Sequence, residues 1–414
     1  MPLPASARID IERFWTTIER SAGIGTGRPG GLSRLALSDA DKEMRDVFVG
    51  WCREAGLTVR VDAIGNIFAR RAGLDDSLPP VVMGSHLDTQ FNGGRFDGIA
   101  GVLGGLEVIR TLDALGRRTR RPLELVNWTN EEGGRFSPPM VGSGCFAGVY
   151  TLDWARERRD DDGISMGEEL ERIGYAGEPQ AAPPPLDAYF EFHIEQGPIL
   201  DREGFEVGVV TGGYASTGMI VEFRGETAHT GPWPMEKRRN ALAAGARLLT
   251  AVDDLGWQFA GSGGKATAAR LVAWPNKAGI ISDWAQATCD VRHADPEAAA
   301  VMAERVLRAV HEAAARANCS AEILDTWRWG GKVFDEAMIG LVRDTSLGLG
   351  YRTRDILSQA GHDAYFLARH TPSAMIFAPC KGGITHNNNE LCTHEDLEPG
   401  LNVLLRAVVA RADR

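Results

Sequence analysis

Residues 81–97, VVMGSHLDTQFNGGRFD, decide how the chain folds. The apolar run from Pro80 to Met83 reads as a buried strand that stops abruptly at Gly84-Ser85. It delivers His86 and Asp88 just past its carboxyl end, and a glycine-rich turn then brings up Asp97. The following residues 98–112, GIAGVLGGLEVIRTL, have the small and apolar character of a packed helix. Strand, turn and helix in that order form the unit of an open α/β sheet, in which ligands gather beyond the carboxyl ends of the strands. One imidazole and two carboxylates therefore sit where such folds put their chemistry. A satisfied core histidine beside a turn is the plain alternative on this stretch alone.

The same alternation extends outward. Helices are expected at residues 9–20 and 38–56, the second opened by Ser38 with Asp41 and stopped by Gly56. Residues 57–61 and 66–70 read as a hairpin, residues 98–115 as a helix and residues 123–128 as a strand, giving a mainly parallel sheet. Composition breaks at 159–163 (RDDDG) and 183–185 (PPP) are read as bounding a mobile, polar insertion, and a short strand at 189–192 follows. From about Thr211 the order changes to strand (217–224), helix (236–255), strand (267–274), strand (283–292), helix (296–317) and strand (320–324). That β-α-β-β-α-β order is the split βαβ, ferredoxin-like unit. A helix at 334–347, a segment at 361–369, a strand at 373–377 and a helix at 397–409 return to α/β. The expected architecture is thus an α/β domain from residues 1–210 and 329–414, interrupted by an α+β insert at 211–328.

Composition narrows the function. The 414 residues are 43% hydrophobic and 24% charged, ordinary for a globular protein of two domains. A net charge of −11 argues against a nucleic-acid surface, and Arg117–Arg121 reads as a solvated connection. Six scattered cysteines without CxxC spacing point to reduced thiols in a cytoplasmic protein. No run of 18 apolar residues occurs, so no membrane partner is expected. The glycine loop at 23–31 lacks the Gly-Lys-Ser/Thr ending of a phosphate loop, and Gly264-Lys265-Ala266 fails the same test.

Other expected strand ends carry similar chemistry. Glu131 and Glu132 follow the 123–128 strand, and adjacent acids cannot both face one way. One can hold a metal while its neighbour stays a free base, although a solvated Glu-Glu pair is the alternative. His193 follows another strand, and His386 comes after the 373–377 strand and a glycine turn. His86, Asp97, Glu132, His193 and His386 together suit two zinc-class ions sharing a carboxylate. Asp88, two residues after His86, is placed to hold the other imidazole nitrogen. His293, His311, His370 and His394 read as structural or exposed.

The segments GSHLDTQFNGGRFDG (84–98), NEEGGRFSPPMVGSGCFAG (130–148), EFHIEQGP (191–198), AHTGPWPMEKRRNA (228–241), CDVRH (289–293) and AGHDA (360–364) resemble the M20-type metallopeptidase clan. The nearest likeness is to its amidase branch of N-carbamoyl-L-amino-acid hydrolases, β-ureidopropionases and allantoate amidohydrolases. The resemblance covers nearly the whole chain with the motifs in family order. It implies a zinc-peptidase-like catalytic domain with an inserted ferredoxin-like lid and dimerisation domain. It also implies a homodimer and two divalent metal ions (Zn2+, Mn2+, Co2+ or Ni2+). On this likeness His86 and His193 bind one metal, Glu132 and His386 the other, and Asp97 bridges them. Glu131 matches the general base and Gln196 a substrate contact, while His229 matches a lid histidine that steadies the oxyanion across the dimer. Asn276 and Arg292 match the groups that hold a substrate carboxylate, and His362 a pocket histidine.

Two departures from the family pattern fall at the expected pocket rim: Asn387-Asn388-Asn389-Glu390 replaces a Ser-Pro-Glu-Glu type sequence, and Lys277-Ala278-Gly279 an Ile-Pro turn. The resemblance implies hydrolysis of a linear C–N bond in a small carbamoyl (ureido) acid, yielding amino acid, CO2 and ammonia. Residues 135–140, RFSPPM, are more similar to the carbamoylase members than to the allantoate ones. Allantoate amidohydrolase is the close rival, and a dipeptidase or aminoacylase of the clan a second. A non-catalytic dimeric binding protein with a relic site is a rival of another class, against which the intact Glu131 and full ligand set speak.

Overall fold

Val81–His86 forms a strand in the interior of an eight-stranded sheet. The computed structural model describes residues 3–179, 183–331 and 334–414. Among these residues the strands are, in chain order, β1 (Thr58–Val61), β2 (Ile67–Arg71), β3 (Val81–His86), β4 (Leu123–Trp128), β5 (Ala188–Ile194) and β6 (Val207–Gly213). They continue with β7 (Ala215–Arg224), β8 (Lys265–Trp274), β9 (Trp284–His293), β10 (Ser320–Trp329), β11 (Thr353–Ser358) and β12 (Ser373–Ala378). The chain divides into two units, one of Met1–Thr211 with Val333–Arg414 and the other of Gly212–Lys332.

The first unit is α/β. Its sheet runs β1-β2-β4-β3-β5-β12-β6-β11, with β4, β3, β5 and β12 parallel to one another. Every residue of these four strands is buried, so their apolar residues do not alternate with exposed ones, and β4 and β5 bury Glu124, Asn127, Glu191 and His193 as well. The helix Ile99–Ala114 lies against this layer with nearly every residue buried. Gly101 allows that close approach, because a β-carbon there would fall 2.3 Å from the Phe192 carbonyl oxygen.

The second unit is α+β. Its sheet runs β10-β7-β9-β8, antiparallel throughout, with helices Ala241–Phe259 and Pro296–Arg316 in the β-α-β-β-α-β chain order. Alternate residues of β9 are buried, so one sheet face packs. Phe223, Leu248, Val252, Ala287, Met302 and Val306 share its core.

The structure corrects several expectations. The polar insertion at 159–185 contains a packed helix, Met166–Ile173, opened by a capping box between Ser165 and Glu168. Met166, Leu170 and Ile173 bury one face of it, and Arg135 reaches back to Asp160 at 3.0 Å and Glu169 at 2.8 Å. Residues 180–182 of that stretch lie outside the described residues. The first helix of the second unit starts at Ala241, after the Asn240 cap, rather than at 236. β10 extends five residues beyond its expected end, to Trp329. Strands β6 and β11 were not anticipated. No helix among the described residues is long and apolar enough to cross a membrane.

Candidate functional site

Since β4, β3, β5 and β12 are parallel neighbours, their carboxyl ends line one edge of the sheet. β3 ends on His86, and β5 carries His193 one residue before its end. β4 leads through Thr129-Asn130 to Glu131 and Glu132, and β12 leads to the turn bearing His386. Asn130, Gln196 and His386 all have left-handed backbones, at φ 58°, 58° and 51°. Such conformations cost about 1–3 kcal/mol each in non-glycine residues and persist where surrounding contacts hold them. The Asn130 amide does so by donating to the Phe136 carbonyl at 2.8 Å.

These turns bring the five candidate ligands together around Asp97. Its Oδ1 lies 3.2 Å from His193 Nε2 and 3.9 Å from His86 Nε2. Its Oδ2 lies 3.4 Å from His386 Nε2, which is 3.1 Å from Glu132 Oε2. The donors thus fall into two groups, His86–Asp97–His193 and Asp97–Glu132–His386, each with its ligating atoms within 4.8 Å of one another. Asp97 belongs to both. Glu131 is in neither, although its Oε2 lies 3.4 Å from His86 Nε2. His86, Asp97 and His193 are buried, while the His386 side chain is 47% exposed, so the cluster opens on that side.

Each buried imidazole is held through its other nitrogen by a main-chain carbonyl. His193 Nδ1 lies 2.9 Å from the Ile194 oxygen, and His86 Nδ1 lies 2.9 Å from the Asp88 oxygen. The second contact is made by Asp88, as its spacing suggested, but through its main-chain oxygen. The carboxylate stands 4.0 Å from His86 and instead accepts the main-chain N–H groups of Glu131 and Glu132, each at 3.3 Å. Asp88 therefore serves two strand ends at once, orienting a histidine with one oxygen and the Glu-Glu turn with two others.

The remaining candidates divide between the units. Gln196 donates to Asp97 Oδ2 at 2.8 Å. His362 is buried 4.6 Å ring-to-ring from His193, with Nε2 3.0 Å from the Ser358 hydroxyl. His229, Asn276 and Arg292 belong to the second unit. There His229 is exposed and pairs across a bridge with Ile280, so its loop runs beside the loop that follows Asn276. Arg292 on β9 donates from Nε to Asp290 at 2.6 Å.

Three residues at the cluster, the buried Glu390 and Glu191 and the partly buried Thr385, were given no site role by the sequence reading. Glu390 accepts the N–H groups of Phe96 at 2.8 Å and Asp97 at 3.2 Å. Thr385 lies 2.7 Å from Asp97 Oδ2 through its hydroxyl. Glu191 accepts from Ser85 at 2.8 Å, and the two-residue period of β5 from His193 was the signal that could have found it.

The donor chemistry fits divalent first-row metal ions. Imidazole and carboxylate together suit zinc-class cations, and a shared carboxylate suits a pair of them. Charge points the same way, because Asp88, Asp97, Glu131, Glu132 and the buried Asp363 crowd one region. Burial, then Asp363 and Glu132, hold the Glu131 carboxyl well above its ordinary range. Burial, Asp41 and Glu132 push Asp88 up to about 8. Burial alone would lower His193 and raise Asp97, but their mutual hydrogen bond lifts His193 to about 9 and, with His386, holds Asp97 well below its ordinary value. A cation held here would displace protons and offset the excess negative charge.

Comparison with known proteins gives the family. Residues 82–410 match peptidase family M20/M25/M40. A Rhizobium meliloti protein named N-carbamoyl-L-amino-acid amidohydrolase is 40% identical over 406 residues, spanning 98% of this chain and 97% of its own. A Bacillus subtilis allantoate amidohydrolase is 32% identical over 94% of each chain. The crystal structure of an amidase of the hydantoinase/carbamoylase family from Burkholderia vietnamiensis superposes with a TM-score of 0.96 at 45% identity, covering 100% of both chains. With the family match extending over more than half of its length, the chain belongs to peptidase family M20/M25/M40.

Proposed function

We propose that this protein is a binuclear metal-dependent amidohydrolase that cleaves the ureido C–N bond of an N-carbamoyl-L-amino acid or N-carbamoyl-β-alanine. One observation carries the reading: Asp97 offers one oxygen to each of two donor groups, while Glu131 stands beside them and belongs to neither. His86 and His193 would hold one ion and Glu132 and His386 the other, with Asp97 shared. When bound, the ions supply Lewis acidity toward the carbonyl oxygen and lower the pKa of the attacking water.

The chain's own residues do the proton work. Glu131 takes a proton as water attacks the ureido carbon and returns it to the departing nitrogen, so that the amino acid leaves neutral at that atom. Burial keeps bulk water from competing for that proton. The main-chain N–H groups held by Asp88 fix the Glu131-Glu132 turn, which keeps base and ligand apart. His229 is proposed to donate to the developing oxyanion from the partner subunit of a homodimer, with the second unit as lid and dimerisation domain. Arg292 and Asn276 are assigned to the substrate carboxylate, which an arginine fork matches bidentately, and Gln196 and His362 to the pocket wall. The six cysteines, all free, fit a reducing compartment, and the cytoplasm is the proposed location.

The test is ammonia release from N-carbamoyl-L-amino acids, N-carbamoyl-β-alanine, allantoate and dipeptides, with Zn2+, Mn2+, Co2+ or Ni2+ supplied. Carbamoyl substrates are expected to turn over fastest. Preferential turnover of allantoate would replace the substrate assignment while keeping the machinery, and turnover of dipeptides alone would overturn it.

A further inference from the structure

We propose that Glu390 is a positioning residue for the shared carboxylate, tying the turn that carries Asp97 to the turn that carries His386. The proposal rests on the metal-dependent reading above and adds a residue to it.

Glu390 is 2% exposed, and its two oxygens face different partners. Oε1 accepts the main-chain N–H groups of Phe96 and Asp97, at 2.8 and 3.2 Å, from almost 300 residues away in the chain. Oε2 lies 2.9 Å from the hydroxyl of Thr385, the residue before His386. That hydroxyl also lies 2.7 Å from Asp97 Oδ2, so one side chain sits between the two carboxylates. The segment from Lys381 to Leu391 is closed at its neck by a main-chain hydrogen bond of 2.9 Å, and Glu390 N donates to the Asn387 oxygen at 3.0 Å. The loop bearing His386 is thus closed on itself and fastened to the Asp97 turn through Glu390.

The surroundings are shaped for that side chain. A β-carbon on Gly94 would fall 1.8 Å from the Glu390 Cδ and 2.0–2.1 Å from its oxygens. The carboxylate therefore occupies space that only glycine at position 94 leaves open. Two main-chain N–H donors converge on Oε1, and the single Thr385 hydroxyl proton is shared between Oε2 and the nearer Asp97 Oδ2.

The consequence is geometric. Asp97 can serve two ions only while Oδ1 points to the His86–His193 side and Oδ2 to the His386–Glu132 side. Its main-chain N–H is fixed by Glu390, and its Oδ2 is reached through Thr385. Loss of the tie lets the His386 loop and the Asp97 turn move independently, so the two donor groups no longer share one carboxylate in register.

The experiment uses the full chain as wild type, Glu390→Ala, Glu390→Gln, Gly94→Ala and the Gly94→Ala/Glu390→Ala double variant. Each is stripped with chelator, melted, and titrated with Zn2+ and with Co2+. Affinities come from calorimetry, stoichiometry from elemental analysis, and ligand geometry from the Co2+ visible spectrum. Wild type is expected to take up two ions. Glu390→Ala should bind the weaker ion about 10–100-fold less tightly, the range for groups that orient ligands, with an altered Co2+ spectrum and a lowered stripped-state melting temperature, because two buried main-chain N–H groups lose their acceptor. Glu390→Gln, which retains its shape, should show a smaller loss and carries the test if the alanine variant does not fold. Gly94→Ala should resemble Glu390→Ala, and the double variant should be no worse than the worse single, because both act through one contact. Two ions bound with wild-type affinity and spectrum in Glu390→Ala, or additive effects in the double variant, would overturn the proposal. If wild type itself binds no metal, the functional reading fails first, and the two failures are told apart.

Discussion

Replacing Glu131 by glutamine separates the roles of base and ligand. The side chain keeps its shape and its place 3.4 Å from His86, but it can no longer accept and return a proton. Glu131 lies outside both donor groups, so both ions should still bind. Loss of acid–base catalysis lowers kcat by about 10²–10⁴, which corresponds to roughly 3–5 kcal/mol of transition-state stabilisation. Stability should move the opposite way in chelator-stripped protein. Burial, Asp363 and Glu132 raise the folded-state pKa of Glu131 well above the ordinary carboxylate range, so the folded state binds its proton more tightly than the unfolded state. That contribution is complete below the unfolded pKa and is lost as pH rises through the folded one. Glutamine cannot ionise and escapes the loss. The stripped variant should therefore gain melting temperature relative to stripped wild type as pH is raised from 4.5 toward neutrality. The assays are steady-state kinetics with saturating metal, elemental analysis, and melting curves across pH. Near-normal turnover would refute Glu131 as the base, and loss of metal would make it a ligand.

Other perturbations test separate parts of the account. Gly98→Ala would place a β-carbon 2.2–2.4 Å from three ring atoms of His86, at a residue with φ 66°, so His86 must shift. A displacement of that kind is expected to cost about 10²-fold in kcat/KM, with lowered metal content; unchanged kinetics and metal content would contradict the placement of His86. Arg45→Ala leaves Asp41 uncompensated in a pair whose side chains are both 0% exposed, which should cost about 3–5 kcal/mol and lower Tm by roughly 5 °C. A Tm within experimental error of wild type would mean that the pair carries no net stability. Mixing inactive His229→Ala with inactive Glu131→Gln chains should recover activity after verified subunit exchange, because one site of the heterodimer is then intact; exchanged dimers without recovery would show that His229 acts in its own chain or not at all.

The parallel core was legible because its strands are buried on both faces and so are mainly apolar without strict alternation. Those strands fix where chemistry can sit, and His86, Asp97, Glu132, His193 and His386 were found from their ends. β6 and β11 escaped because glycines interrupt the first (VGVVTGG) and charge the second (TRDILS). The helix Met166–Ile173 was hidden by polar composition, although its capping box and the spacing of Met166, Leu170 and Ile173 were present. Asp88 was found as the partner of His86, but its carboxylate contacts to the Glu131-Glu132 turn were not, since they join residues more than 40 positions apart. Glu390 was seen only as part of a departure from the family pattern. Its partners lie almost 300 residues earlier, and a contact of that range leaves no local periodic mark.

The central claim is that catalysis depends on two ions sharing Asp97. Chelator-stripped protein titrated with Zn2+, Mn2+ or Co2+, while ammonia release from an N-carbamoyl-L-amino acid is followed, tests it most directly. The account predicts no release before metal is added and a rise that levels off near two ions per chain, matching the two donor groups. Full activity in excess chelator, or activity restored without stoichiometric binding, would contradict it.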